Sequence, residues 1–163
     1  MRKTRIYLES SSIMMMGPDQ DPIRQAITKE FFRIVAEKSE EYELFLSPVA
    51  IEELEAGSEE QKLVSELFLA TFDYTELASN DESENLAKIY VTEGVMSQVH
   101  FNDLRHVAYA VVFRCDYVVT WNMRHLANER TFRRINTVNH FENYGKIYLT
   151  TPEFFTGGTI DEK

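Results

Sequence analysis

Short apolar segments of strand length alternate along this sequence with longer segments that have helical periodicity. Residues 4–8 (TRIYL) combine β-branched and aromatic side chains and predict a strand. Similar strands are predicted at 42–47 (YELFLS), 117–120 (YVVT) and 146–149 (KIYL). Strands that alternate with helices favour a mostly parallel sheet with helices on both faces. The fold class predicted from this pattern is therefore α/β.

The helical segments carry recognisable start signals. Asp21 precedes Pro22, a pair that favours a helix start, and Ser58-Glu59-Glu60-Gln61 resembles a capping box. We also predict that Asn102 caps a helix from Asp103 to Arg114. The other helices are expected at about 22–38, 48–57 and 131–143, with further ones beginning near 58 and 79.

The length of 163 residues suits one domain with its own core. We predict a single domain over 1–155 and a short tail over 156–163. Cys115 is the only cysteine, which excludes an intrachain disulfide and suits a reducing cytoplasm. We expect no membrane span, because no apolar run approaches about 20 residues. We expect no signal peptide, because residues 1–16 are interrupted by polar side chains and no small-residue cleavage site follows.

The net charge of −10 argues against general nucleic-acid binding, which depends on Lys and Arg. The charge is nevertheless uneven, since residues 101–150 carry 7 basic and 4 acidic side chains. A polyanion could therefore meet a locally favourable surface. The simpler interpretation of the acidic excess is a solvated exterior that keeps the protein soluble.

Four polar residues fall where a parallel sheet collects its ligands, beyond the carboxyl ends of the strands. Glu9 follows the first predicted strand and Asn122 follows the YVVT strand, while Asp103 begins the helix that leads into it. Glu53 lies on the short helix after the second strand. Clustered carboxylates need a counter-charge, and oxygen ligands favour Mg²⁺ or Mn²⁺. Such ions can activate water for attack on a phosphodiester.

Each of these residues also has a simpler interpretation, which the sequence leaves open. Glu9 could be a solvated strand-end carboxylate, and Glu53 could belong to the solvated face of an acidic helix. Asp103 at a helix start stabilises the helix dipole in any protein. Asn122 could be a turn residue or a helix cap.

Four blocks of the sequence, in this order, resemble the PIN-domain family. They are 6–13 (IYLESSSI), 47–54 (SPVAIEEL), 102–128 and 146–155 (KIYLTTPEFF). The third is the most specific, with Asp-x-x-His-x-Ala-x-Ala, Asp-Tyr, an apolar strand, Thr-Trp-Asn and a His-Leu-x-Asn ending. The resemblance implies a three-layer α/β/α fold and an acidic pocket that binds Mg²⁺ or Mn²⁺. It also implies a ribonuclease, often the toxin of a toxin–antitoxin pair, with an RNA substrate, an antitoxin partner and a homodimer.

Position by position, the resemblance implies catalytic roles for Glu9, Glu53 and Asp103. It implies metal ligation by Glu9, Asp103 and Asn122, and it places the Ser11 hydroxyl in the site, where we expect it to contact substrate. Glu9 stands where Asp is commoner in the family. Asn122 stands where many members have a further Asp, so a neutral amide replaces a charged ligand and weakens the case for a second ion.

The densest basic stretch includes Arg124 and Arg130, which are candidates for contacts with an RNA backbone; a solvated helix face is the other interpretation. His106, one helical turn after Asp103, could assist the chemistry, but a packed histidine that orients the helix is the favoured interpretation. His125 is also predicted to be structural. The sequence does not separate RNA from DNA as substrate. It also leaves an alternative function, a catalytically weakened PIN fold that binds RNA or another protein, supported by Asn122 and by the negative net charge.

Overall fold

The computed structural model describes residues 2–157, so the predicted tail lies outside the described residues from 158 onward. In chain order the elements are β1 (Thr4–Leu8), α1 (Ser10–Met14), α2 (Pro22–Glu37), β2 (Tyr42–Leu46), α3 (Pro48–Glu55), α4 (Glu59–Thr71), β3 (Thr75–Glu76), α5 (Asp81–Thr92), a 3₁₀ turn (Gln98–His100), α6 (Phe101–Val112), β4 (Tyr117–Val119), α7 (Glu129–Phe141), β5 (Tyr148–Thr150) and α8 (Glu153–Thr156). Within 2–157, no helix is both long and apolar enough to cross a membrane.

The five strands form one sheet in which all neighbours are parallel, in the order β3-β2-β1-β4-β5. In the central strand, Tyr7 lies beside Phe45 of β2 and Val118 of β4. Strands β2 and β3 lie on one side of β1, and the chain then crosses to the other side of β1 to form β4 and β5. The order of strands therefore reverses between β1 and β4, and a crevice opens there at the carboxyl ends of the two strands.

Both faces of the sheet are buried, which gives three layers. Tyr7, Phe45 and Val118 point to one face and pack among buried side chains of α5, α6 and α7. The alternate residues, such as Ile6 and Leu8, point to the other face and pack against α2, α3 and α4. The predicted α/β/α arrangement is thus confirmed.

The structure differs from the sequence prediction at several local points. The prediction that Asn102 caps α6 is wrong: the 3₁₀ turn runs into the helix, which begins at Phe101, and the Asn102 amide oxygen accepts a bond from Arg105 instead. Helix α7 begins at Glu129 rather than at 131, because the Asn128 side chain caps it. The elements α1, β3 and α8 were not predicted, since each is too short to show a period.

Candidate active site

Glu9 is fixed where β1 and β4 end. Its backbone N–H donates to the carbonyl of Val119 at 3.1 Å. Its carboxylate oxygen Oε1 accepts hydrogen bonds from the Thr120 hydroxyl at 2.6 Å and from the Ser11 hydroxyl at 2.5 Å and backbone N–H at 3.1 Å. The residue is only 7% exposed. The crevice between β1 and β4 therefore contains a buried, oriented carboxylate.

A second carboxylate reaches the same place from α3, which Ser47 caps at its start. Atom Oε1 of Glu53 accepts a hydrogen bond from the Ser10 hydroxyl at 2.6 Å. The same hydroxyl lies 3.0 Å from Oε2 of Glu9. Ser10 therefore bridges Glu9 and Glu53, which we call the carboxylate pair.

His106 supplies positive charge beside the carboxylate pair. The ring is fully buried, with Nε2 2.6 Å from Oε1 of Glu53 and 4.0 Å from Oε2 of Glu9. Burial lowers the pKa of His106, but the hydrogen bond to Glu53 and the nearby carboxylates outweigh it, so the pKa is raised. For Glu53 the directions are reversed: burial raises its pKa, but the interactions with His106 and Ser10 outweigh burial, and the pKa of Glu53 is lowered. The two groups thus favour each other's charged form.

Asp103, in the first turn of α6, faces two other histidines. Its Oδ2 atom lies 3.6 Å from Nδ1 of His125 and 3.9 Å from Nδ1 of His100. Burial raises the pKa of Asp103, and the nearby Glu9 carboxylate adds to this rise, while the adjacent His106 opposes it. Asp103 is therefore within electrostatic reach of Glu9. Its donor atoms nevertheless group with His100 and His125, whereas those of the carboxylate pair group with His106.

Asn122 and Ser11 lie at the same edge with their polar atoms engaged. The Asn122 amide oxygen accepts a hydrogen bond from the backbone N–H of His125 at 3.0 Å, which shapes the turn after β4. Besides donating to Glu9, the Ser11 hydroxyl accepts one from the backbone N–H of Trp121 at 2.9 Å. Ser11 thus connects α1 to the segment that carries Asn122.

The basic candidates are on the surface. Arg124 and Arg130 are exposed, and neither forms an ion pair within residues 2–157. Arg133, one turn further along α7, pairs with Glu129 at 3.0 Å. Trp121 belongs to the core, because its indole N–H donates to the Thr28 hydroxyl at 2.8 Å. Trp121 is accordingly only 8% exposed.

Sequence reasoning missed three contributors to the site and favoured a structural role for a fourth, His106. Ser10 and Thr120, both neighbours of recognised positions, hydrogen bond to the carboxylate pair. His106 follows Asp103 by one helical turn, and that spacing was the available signal for its position. His100 gave no signal, because its approach to His125 depends on how the 3₁₀ turn packs against the loop after β4.

The donor set is compatible with a divalent cation. One donor atom each from Glu9, Glu53 and His106 lie within 4.8 Å of one another. Atom Oε2 of Glu9 accepts only the bond from Ser10 within residues 2–157, which leaves it free for a further ligand. Carboxylate oxygens suit Mg²⁺ and Mn²⁺. Glu9 and Glu53 could both contribute oxygen ligands to such an ion.

No protein-family model matches this chain, and no curated protein gives a significant match. Solved structures do match. A chain of VapBC2 from Rickettsia felis, bound to a DNA fragment from its promoter, has 11% sequence identity to this chain and a TM-score of 0.57. A chain of VapBC-1 from nontypeable Haemophilus influenzae has 14% sequence identity and a TM-score of 0.54. Both alignments cover 91% of this chain and 98% of the other. Mycobacterium tuberculosis VapC20, a toxin that cleaves the sarcin–ricin loop, has 17% sequence identity and a TM-score of 0.52. This alignment covers 72% of this chain and 89% of VapC20.

The sheet order, the layers and these likenesses define a fold of the PIN type. More narrowly, the fold is VapC-like, since each of these structures contains VapC or a VapBC pair. The family resemblance is thereby confirmed at the level of the fold. At sequence identities of 11–17%, these structures show a shared fold and no more.

Proposed function

We propose that this protein is a metal-dependent endoribonuclease that hydrolyses RNA phosphodiester bonds. One observation carries the proposal: Glu9 and Glu53, distant in sequence, are bridged by Ser10 at the carboxyl ends of β1 and β4. That edge is where α/β folds bind ligands. A neighbour with the same fold is a toxin that cleaves the sarcin–ricin loop.

In this proposal Glu9, Asp103 and Asn122 hold Mg²⁺ or Mn²⁺, and Glu53 completes the acidic set. The bound ion would supply a water of lowered pKa and charge stabilisation for phosphate oxygens. The chain's own contribution is orientation: Ser11 and Thr120 fix the Glu9 carboxylate. Glu53, Asp103 and Glu9 together are the catalytic residues we propose.

The substrate and partners belong to the same proposal. Arg124 and Arg130, which are exposed and form no ion pair within residues 2–157, would contact the RNA backbone. Ser11 would line the path to the scissile bond. The likeness to two VapBC complexes supports a toxin role with an antitoxin partner, in the cytoplasm. We also propose a homodimer, as the family resemblance implies.

The test is cleavage of mixed RNA substrates by the purified protein with Mn²⁺ or Mg²⁺, in parallel with Glu53→Gln and Asp103→Asn. Glu52→Gln is the matched control, since Glu52 is exposed beside Glu53 on the same helix. We expect both site variants to lose about 10²-fold or more in rate, and the control to keep its rate. Metal-independent cleavage, or equal rates in all variants, would overturn the proposal.

One observation favours a second function, a catalytically weakened PIN fold that binds RNA or a protein. Asn122 brings no charge, and its amide oxygen already accepts a hydrogen bond from His125. Titration of Mn²⁺ by calorimetry distinguishes the two functions. RNA binding without cleavage, and without metal binding at millimolar concentration, would favour the second function over the nuclease.

A further inference from the structure

We propose a transition-metal site formed by His100, Asp103 and His125, which we call the histidine site. The three side chains come from the 3₁₀ turn, the start of α6 and the turn after β4. One donor atom from each lies within 4.8 Å of the other two. The ligand is a divalent ion that accepts imidazole nitrogen, such as Zn²⁺ or Co²⁺. It differs in chemistry from the oxygen-bound ion of the proposed nuclease.

The distances fit coordination better than hydrogen bonding. Oδ2 of Asp103 is 3.6 Å from Nδ1 of His125 and 3.9 Å from Nδ1 of His100, both too long for hydrogen bonds. Two ligands of a tetrahedral zinc, each about 2.0–2.1 Å from the metal, stand about 3.4 Å apart. Small side-chain rotations would therefore bring all three atoms into coordination range.

The donor atoms of the histidine site face one another at distances longer than hydrogen bonds. Within the described residues 2–157, the Asp103 carboxylate accepts no hydrogen bond, and neither the His100 nor the His125 ring forms one. The His side chains are 34% and 33% exposed and Asp103 is 21% exposed, so an ion has a path from solvent. Partly buried polar groups usually find partners. Here the three groups face one another at ion-pair rather than hydrogen-bond distances, an arrangement that a bound cation would complete.

The supporting backbone is held in place before any ion arrives. The backbone N–H of His125 donates to the Asn122 side chain at 3.0 Å, and its carbonyl accepts from the Thr131 hydroxyl at 2.8 Å. The backbone N–H of His100 donates to the Ser97 carbonyl at 3.0 Å. Ligands held in this way lose little freedom on binding.

Simpler interpretations account for parts of this arrangement only. An Asp in the first turn of α6 stabilises the helix dipole, which explains Asp103 alone. The two imidazole rings pack with centroids 4.1 Å apart at 41°, which explains their contact but not their shared approach to Asp103. One carboxylate cannot hydrogen bond to both rings at the observed distances. A cation coordinated by all three groups accounts for the whole arrangement.

Asp103 is common to the histidine site and to the proposed nuclease acids, yet the test of binding involves no RNA. Co²⁺ or Zn²⁺ alone is titrated into the metal-free full chain, following Co²⁺ visible absorption and the heat of binding. We expect the most tightly bound Co²⁺ to lose at least about tenfold in affinity in His100→Ala and in His125→Ala. Far-ultraviolet circular dichroism checks that the variants fold; if His125→Ala does not, His100→Ala decides.

Two controls separate the histidine site from other sites on the chain. His140→Ala removes an exposed imidazole of α7, and Glu52→Gln removes an exposed carboxylate of α3. Neither should change the affinity for Co²⁺. Tight binding that survives both histidine substitutions, or that falls equally in the two controls, would overturn the proposal, as would absence of binding at millimolar Co²⁺. Cleavage assays can fail independently of each of these results.

Discussion

The hydroxyl of Tyr7, in the central strand, lies 2.5 Å from Nδ1 of His106, in the helix that covers it. The same hydroxyl lies 2.6 Å from the Ser47 hydroxyl, which caps α3. Because burial raises the pKa of Tyr7 well above its usual value, the hydroxyl keeps its proton. One buried group thus connects β1 to both helices that carry the proposed acids.

The first prediction follows from this contact. Tyr7→Phe keeps the aromatic ring but removes the hydroxyl, so Nδ1 of His106 and the Ser47 hydroxyl both lose a hydrogen-bond partner. The free energy of unfolding should therefore fall by about 1–3 kcal/mol. Urea denaturation measures the change. Tyr148→Phe is the control, since Tyr148 is 45% exposed and its hydroxyl forms no hydrogen bond within residues 2–157. Equal losses in the two variants would show that the contact adds nothing.

The second prediction concerns pH in metal-free protein. The lowered pKa of Glu53 gives stability that is present above about pH 4.3 and is lost as pH falls through the folded pKa. The raised pKa of His106 gives stability that is fully present below about pH 6.5 and is lost as pH rises through its folded pKa. The pair should therefore stabilise most between these values.

The measurement is the thermal midpoint in EDTA across this pH range and above it, for the wild type and for His106→Gln. The difference in thermal midpoint between the wild type and His106→Gln should be largest between about pH 4.3 and about pH 6.5 and should shrink at higher pH. His140→Gln serves as the exposed control. A difference that does not vary with pH would contradict the assigned ion pair.

The third prediction rests on the proposed function. With EDTA present to prevent cleavage, Arg124→Gln and Arg130→Gln should each weaken RNA binding and reduce the salt dependence of log K by about 0.7. Arg133→Gln should have little effect, because Arg133 already pairs with Glu129. If Arg133→Gln weakens binding as much as the others, the proposed RNA path is misplaced.

The fourth prediction compares two asparagines. The Asn128 side chain accepts from the backbone N–H of Thr131 at 2.8 Å and donates to the carbonyls of Met123 and Arg124. Asn128→Ala should therefore cost about 1 kcal/mol, within the usual range for a lost helix cap. Asn102→Ala should cost less than about 0.5 kcal/mol, because Asn102 is exposed and caps nothing. Denaturation curves of the two variants check the order.

Much of the architecture could be predicted from the sequence. The strand at 4–8 and the caps at Asp21 and Ser58 are encoded within a few residues, and all are confirmed. Elements without a period, such as the two-residue strand β3, could not be predicted. The start of α6 was misplaced because Asn102 is a good cap by type, while the preceding 3₁₀ turn already continues into the helix.

The sequence by itself determined the alternation of strands and helices, and with it the buried parallel sheet and the position of Glu9 directly after β1. Those features depend on periodicity and on neighbours along the chain. Only the tertiary structure decided that Glu53 contacts His106 and that Asp103 lies close to His100 and His125. These contacts depend on how helices pack across the sheet, and no spacing within one segment encodes that packing.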